Sequence, residues 1–187
     1  PVIAAVHVRF PEALISVDTW RAAVAREAVG AGAGMVNDIG AGLLDPEMLG
    51  TVAALHVPYI AMHMQGTPRT MQQAPQYADV AAEVTHFLAD RLAACHTAGI
   101  PDVWLDPGFG FGKTTVHNYA LLRELARITA LGAPVLVGVS RKRMINEVLG
   151  ITAAEALNGT TVVNTLALER GADILRVHDV RETVRLA

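Results

Sequence analysis

Trp104-Leu105-Asp106-Pro107-Gly108-Phe109-Gly110-Phe111-Gly112-Lys113 opens on a short apolar strand, Val103 to Leu105, that ends on a carboxylate. Pro107 stops the ladder, and three alternating glycines allow close backbone approach to a ligand. Two aromatic rings stand between the glycines and a lysine closes the run. A strand-end carboxylate, a bendable loop and a ring able to stack describe a site for a flat polar heterocycle. The competing reading is a Gly-rich turn whose Phe residues plug the core and whose Asp caps the next helix.

The same unit repeats on both sides of this stretch. Apolar runs of strand length alternate with longer stretches of helical period. The strands are read at Leu14–Asp18, Met35–Asp38, Pro58–Met62, Val103–Leu105, Val135–Val139 and Ile174–Val177. Helices are expected over 1–10, 19–31, from Asp45-Pro46-Glu47 to about Leu55, over 77–98, over 117–131, in two pieces within 144–170, and from Val180. Continuous apolar strands such as Val135-Leu136-Val137-Gly138-Val139 argue for a parallel sheet covered by helices. Two α/β architectures remain, a (β/α)₈ barrel represented by six β/α units and an open doubly wound sheet. An open sheet places its Gly-rich loop after the first strand, where this chain has Asp18-Thr19-Trp20. Polar residues instead end all six strands: Asp18, Asn37 and Asp38, His63, Asp106, Ser140 to Lys142, and Arg176 to His178. That spread fits a barrel mouth better.

Composition bounds the rest. The chain has 187 residues, enough for one domain over 1–187 with a sizeable core. It is 52% hydrophobic, yet no uninterrupted apolar run approaches the roughly 18 residues of a membrane span. No secretory pattern is read at Pro1, and the single Cys95 excludes an internal disulfide framework, so a cytoplasmic protein is expected. Net charge is −3 with mixed signs, which gives nucleic acid no basic patch. The histidines show no metal-ligand spacing, and neither a Gly-x-Ser-x-Gly elbow nor a Walker lysine occurs.

Each polar strand end has a plainer use. Asp18 or Thr19 caps a helix, Lys142 is a solvated first-turn residue, and His63, between two Met residues, packs. The set explains more than its members do. Asp18, Asn37 and Asp106 offer acceptors to the N–H groups of a heterocycle, and Lys142 faces its carbonyl. Arg176 and His178, two apart on a strand, point to one side and suit a phosphate or diphosphate.

Ser16-Val17-Asp18-Thr19, Asn37-Asp38-Ile39, Met62-His63-Met64-Gln65-Gly66, Leu105 to Lys113, Ser140-Arg141-Lys142 and Arg176-Val177-His178-Asp179-Val180 together resemble, in order, the motifs of the dihydropteroate synthase family. The resemblance spans the chain. It implies a TIM barrel that condenses 6-hydroxymethyl-7,8-dihydropterin diphosphate with p-aminobenzoate to 7,8-dihydropteroate and diphosphate. It implies Asp18, Asn37, Met62, Asp106 and Lys142 as pterin-binding residues, and Arg176 and His178 as diphosphate anchors. Phe111, Ser140 and Lys142 are implied for p-aminobenzoate, and so for sulfonamides. Asp18, Lys142, Arg176 and His178 would act in catalysis as electrostatic stabilisers. Mg²⁺ is implied as a passenger of the diphosphate, with no protein ligand in this chain, and a homodimer is implied as the assembly.

The family's first two β/α units, with their Asn-Val-Thr-Pro-Asp-Ser-Phe and Glu-Ser-Thr-Arg-Pro-Gly loops, have no counterpart here. Asn146 also stands where the family usually has Gly. The chain therefore reads as a partial sequence, with strand edges before Leu14 and after Val177 expected to be unpaired. Two further readings stand beside the lead. One is an inactive pterin-binding fragment. The other is a methyltetrahydrofolate-binding methyltransferase domain, against which Phe111, Lys142, Arg176 and His178 count.

Overall fold

The computed structural model describes residues 1–66 and 75–186. In chain order the elements are α1 (Val2–Arg9), β1 (Ser16–Asp18), α2 (Ala22–Gly30), β2 (Met35–Asp38), α3 (Met48–Leu55), β3 (Tyr59–Met62), α4 (Val80–Thr97), β4 (Val103–Asp106), α5 (Thr115–Arg123), α6 (Ala126–Thr129), β5 (Leu136–Val137), α7 (Arg143–Leu149), a 3₁₀ turn at Ala153–Glu155, α8 (Leu157–Glu169), β6 (Ile174–Leu175) and α9 (Val180–Val184). Two compact units emerge, one of residues 1–62 and 88–105, the other of 63–87 and 106–187.

The first unit is built on a sheet of order β1-β2-β3-β4, in which β1–β2 and β2–β3 pair in parallel. Asp18 is in register with Asn37, and Asn37 with Ile60. Every residue of β2 and β3 is buried, as expected for strands with a neighbour on each side and helices on the faces. At the sheet's outer edge β1 buries none of its three residues fully. In the second unit β5 and β6 form a parallel pair, Leu136 opposite Ile174. Leu121, Leu122, Leu125, Ile128, Met144, Ile145 and Val163 form its core.

All six strands fall where the sequence places them, and the differences lie at element ends. The helix read over 117–131 is α5 and α6, separated at Glu124-Leu125. There the backbone tightens to three-residue spacing, Leu125 N to Leu122 O and Arg127 N to Glu124 O, so the apolar stripe continues across the break. The helix start moves back to Thr115 because Thr114 Oγ1 accepts from His117 N while the His117 ring accepts from Thr114 N. The helix read as opening at Asp45-Pro46-Glu47 begins at Met48, with Glu47 at its N-cap and no side-chain cap; Asp45 Oδ1 accepts from Glu47 N just before it, and Asp45 Oδ2 accepts from Ala22 N at the start of α2. The loop read from His63 to Pro68 is described as far as Gly66; Thr67 and Pro68 lie outside the described residues.

Candidate active site

In the second unit the strand-end residues converge on one cavity of about 370 Å³, lined by Asp106, Phe111, Gly138, Ser140, Lys142, Arg176, Val177 and His178. Asp106 ends β4 and is 5% exposed; its Oδ1 accepts from Gly108 N at 2.7 Å. Burial pushes its carboxyl above the usual carboxylate range, opposed chiefly by the nearby charge of Lys142, then by Gly108 N and the charges of Lys113 and Arg176. Burial in turn lowers the Lys142 ammonium, and Asp106 holds it up. The cavity lining sets one carboxylate against the two cations Lys142 and Arg176, which suits an anionic ligand with a hydrogen-bonding ring.

Lys142 comes from the turn before α7. Its Nζ donates to Phe109 O at 2.5 Å and lies 4.9 Å from the centroid of the Phe111 ring. Ser140 Oγ accepts from His178 N at 3.2 Å and lies 3.0 Å from His178 Nδ1, which joins the ends of β5 and β6. Arg141 is left-handed (φ 55°); Asn146 Nδ2 donates to its carbonyl at 3.1 Å, while Thr160 Oγ1 accepts from its N–H. Its guanidinium grips both oxygens of Asp179 at 2.6 and 2.8 Å. Asn146 thus supports the left-handed residue between Ser140 and Lys142.

The glycines of the loop serve a purpose that differs from the one read in the sequence. A Cβ on Gly108 would meet His63 O at 1.8 Å, and one on Gly112 would meet Gln65 O at 2.5 Å. Both therefore approach backbone rather than an open ligand site; Gly110 alone faces the Lys142 side chain, at 3.4 Å. Phe109 is the fully buried plug and Phe111 the ring in the cavity, so each of the two competing readings of the stretch holds for one ring.

Two residues here were not singled out as a pair. Lys113 is 4% exposed and His63 6%. Lys113 Nζ lies 2.9 Å from His63 Nδ1 and donates to Gly108 O at 2.9 Å and Phe111 O at 3.2 Å. Burial, reinforced by the Lys113 charge, pulls the His63 imidazole down to about 3, so it is neutral; burial also pulls the Lys113 ammonium down to about 7. His63 does pack, edge-on to Phe87 at 4.9 Å. The one signal for the pair was their placement in the loops after two adjacent strands, His63 opening one and Lys113 closing the other.

The first unit holds Asp18, Asn37 and Met62. Asn37 Nδ2 donates to Asp18 Oδ2 at 3.0 Å, and Thr19 N donates to Asn37 O. Asn37 Oδ1 is buried without a hydrogen-bond partner, an acceptor with capacity to spare. Met62 ends β3, 2% exposed. Among the described residues no three His, Cys, Asp or Glu side chains form a group that could hold a metal ion. Nor, among those residues, is any helix long and apolar enough to cross a membrane.

Residues 1–178 match the model of the family described as pterin binding enzyme. The dihydropteroate synthase of Escherichia coli K12 is 47% identical over 186 residues, which cover 98% of this chain and 65% of that protein. Dihydropteroate synthase from Xanthomonas albilineans in complex with 7,8-dihydropteroate has a TM-score of 0.91 at 46% identity, over 100% of this chain and 68% of the other. The Yersinia pestis dihydropteroate synthase, solved with a sulfonamide drug, has a TM-score of 0.94 at 41% identity, over 100% and 68%. This chain thus spans just under two thirds of the length of the curated relatives it matches. Likeness at this level gives the fold: six β/α units of the TIM barrel.

Proposed function

This chain belongs to the pterin-binding enzyme family, and from that premise we propose that it carries the substrate-binding units of a dihydropteroate synthase. The reaction joins 6-hydroxymethyl-7,8-dihydropterin diphosphate to p-aminobenzoate. The observation that carries the reading is Asp106, a buried carboxylate in a cavity that it shares with Lys142, Arg176, Phe111 and Ser140.

In this reading Asp106 accepts from the ring N–H groups of the pterin, and Lys142 leaves Phe109 O to donate to the pterin carbonyl. Arg176 and His178 hold the diphosphate. As the methylene C–O bond breaks, the electron pair leaves with diphosphate, and the cations of the wall meet the charge that develops there. The aniline nitrogen of p-aminobenzoate, placed by Phe111, Ser140 and the Lys142 stem, then attacks the methylene cation. It loses its proton to solvent, and no side chain is needed as base because an aniline is unprotonated at neutral pH. Asp18, Asn37 and Met62 are the residues that the sequence resemblance assigns to the pterin, with Asp18 as a stabiliser of the cation, and the spare acceptor of Asn37 suits that role. Mg²⁺ enters as part of the diphosphate substrate, and no step is routed through it. Sulfonamides would compete for the aminobenzoate position. A homodimer in the cytoplasm completes the proposal.

Titration calorimetry with the pterin diphosphate and Mg²⁺ tests it. Binding by the wild-type chain that is lost in Asp106→Ala and weakened in Arg176→Ala is the expected result. Absence of binding by a cooperatively folded wild-type chain would contradict it.

A further inference from the structure

Lys113 is a buried cation that the proposed chemistry leaves unused. Its ammonium has three protons and three acceptors: His63 Nδ1, Gly108 O and Phe111 O. These lie at informative places. His63 follows β3, Gly108 comes two residues after Asp106, and Phe111 places its ring in the cavity. From the other flank Lys142 takes Phe109 O, so the carbonyls of residues 108, 109 and 111 each rest on an ammonium. The loop's amides are held as well: Gly108 N by Asp106 Oδ1, Gly110 N by Asn118 Oδ1, and Phe111 N by Gly108 O.

We propose that Lys113 is a positioning residue: with His63 as its third acceptor, it pins the Gly108–Phe111 loop so that the Asp106 carboxylate and the Phe111 ring are set before a ligand arrives. The pin follows from geometry alone; its consequence for ligand affinity rests on the pterin reading above. A neutral His63 is required, because its Nδ1 must accept. The environment provides this, since burial and the Lys113 charge both oppose a second proton on the ring. The groups facing Lys113 are Asp106 from β4, which favours its charge, Lys142 from the turn before α7, which opposes it, and His63. Tyr77 donates to Gly112 O beside them. Because burial draws Lys113 down to about 7, one of its three donors is lost as pH rises through that value.

Hydrogen–deuterium exchange on the whole chain reads the pin directly, as protection factors at Gly108 and Phe111 against those of α8. Lys113→Met should lower loop protection roughly tenfold or more with α8 unchanged, and should abolish the fall in loop protection expected of the wild type above pH 7. Should Lys113→Met unfold globally, the His63 pair decides. His63→Leu, which removes the acceptor, should lose loop protection, and His63→Asn, which keeps an oxygen near the Nδ1 position, should retain it. Unchanged loop protection in Lys113→Met, or equal behaviour of the two His63 variants, overturns the pin. Calorimetry with the pterin diphosphate separates the two proposals: wild-type binding that is at least tenfold weaker in Lys113→Met extends the pin to the ligand. Failure of the wild type to bind counts against the pterin reading alone, with exchange still deciding the pin.

Discussion

Asp38 and Asp106 each end a buried strand, each precedes a glycine-containing loop, and each is almost inaccessible, at 0% and 5% exposure. Their partners differ in kind. Asp38 accepts from Gly40 N at 2.8 Å, Gly42 N at 2.7 Å and the Tyr59 hydroxyl at 2.6 Å, three neutral donors from its own unit. Asp106 accepts from Gly108 N, and the balance of its stabilisation comes from the charges of Lys142 and Arg176 at the wall of a cavity and from that of Lys113. A carboxylate whose two oxygens are both engaged by fixed neutral donors holds a loop in place and has little left to offer a ligand. One balanced by cations around open space keeps oxygen lone pairs for a ligand. Burial and sequence position do not separate these roles; the identity of the donors does.

The largest expected effect breaks the comparison at Asp106. Asp106→Asn should weaken pterin diphosphate binding by about 10- to 150-fold, the range of a charge-assisted hydrogen bond, as measured by calorimetry. It should not lower thermal stability near neutral pH. The sign follows from linkage: a carboxyl raised above its unfolded value binds protons more tightly when folded, so its contribution to stability falls as pH rises from about 3.8 through the raised value. Removing the charge removes that cost.

Next in size is the opposite change at the other carboxylate. Tyr59→Phe leaves a buried Asp38 oxygen short of its hydroxyl donor and should cost about 1.5–3 kcal/mol in denaturant unfolding, with ligand affinity unchanged. Burial and the Asp38 charge both hold the Tyr59 proton on, so the hydroxyl donates throughout the accessible pH range.

A smaller effect tests the neutral histidine. The folded His63 is drawn from 6.5 to about 3, so the unfolded chain binds its proton first and stability should fall as pH drops from 6.5 toward 3. His63→Asn should flatten that slope by at most about 1.4 kcal/mol per pH unit, read from unfolding curves across the range. The smallest effect belongs to Arg141→Lys. The guanidinium is bidentate to Asp179 and also donates to Ala153 O and Ala154 O, a fork that lysine cannot keep, so about 1 kcal/mol should be lost and the melting temperature should fall by about 2–4 °C.

How much of this was legible in the sequence follows from the same physics. Strand and helix alternation, the polar strand ends and the Asp106-to-Lys113 loop could be read because period and glycine spacing are local properties. Arg176 and His178 do line one cavity, but not as two neighbours on a strand: β6 ends at Leu175, and both come from the segment that follows it. Lys113 could not be read as buried: lysine is almost always exposed, and only the tripod of acceptors, two from its own loop and one 50 residues away, reverses that expectation. The glycines at 108 and 112 were misassigned toward a ligand because the 63–65 backbone that crowds them is distant in sequence. Asn37 and Asp38 looked alike side by side. Only the Tyr59 hydroxyl and the loop amides show that Asp38 is satisfied, while Asn37 Oδ1 is not.

The central claim is tested most directly by measuring, for Asp38→Asn and Asp106→Asn side by side, both the melting temperature and the affinity for the pterin diphosphate. The account predicts a crossed pattern, with Asp38→Asn losing stability at wild-type affinity and Asp106→Asn losing affinity at wild-type or higher stability. Parallel losses in both variants, or the pattern reversed, would contradict it.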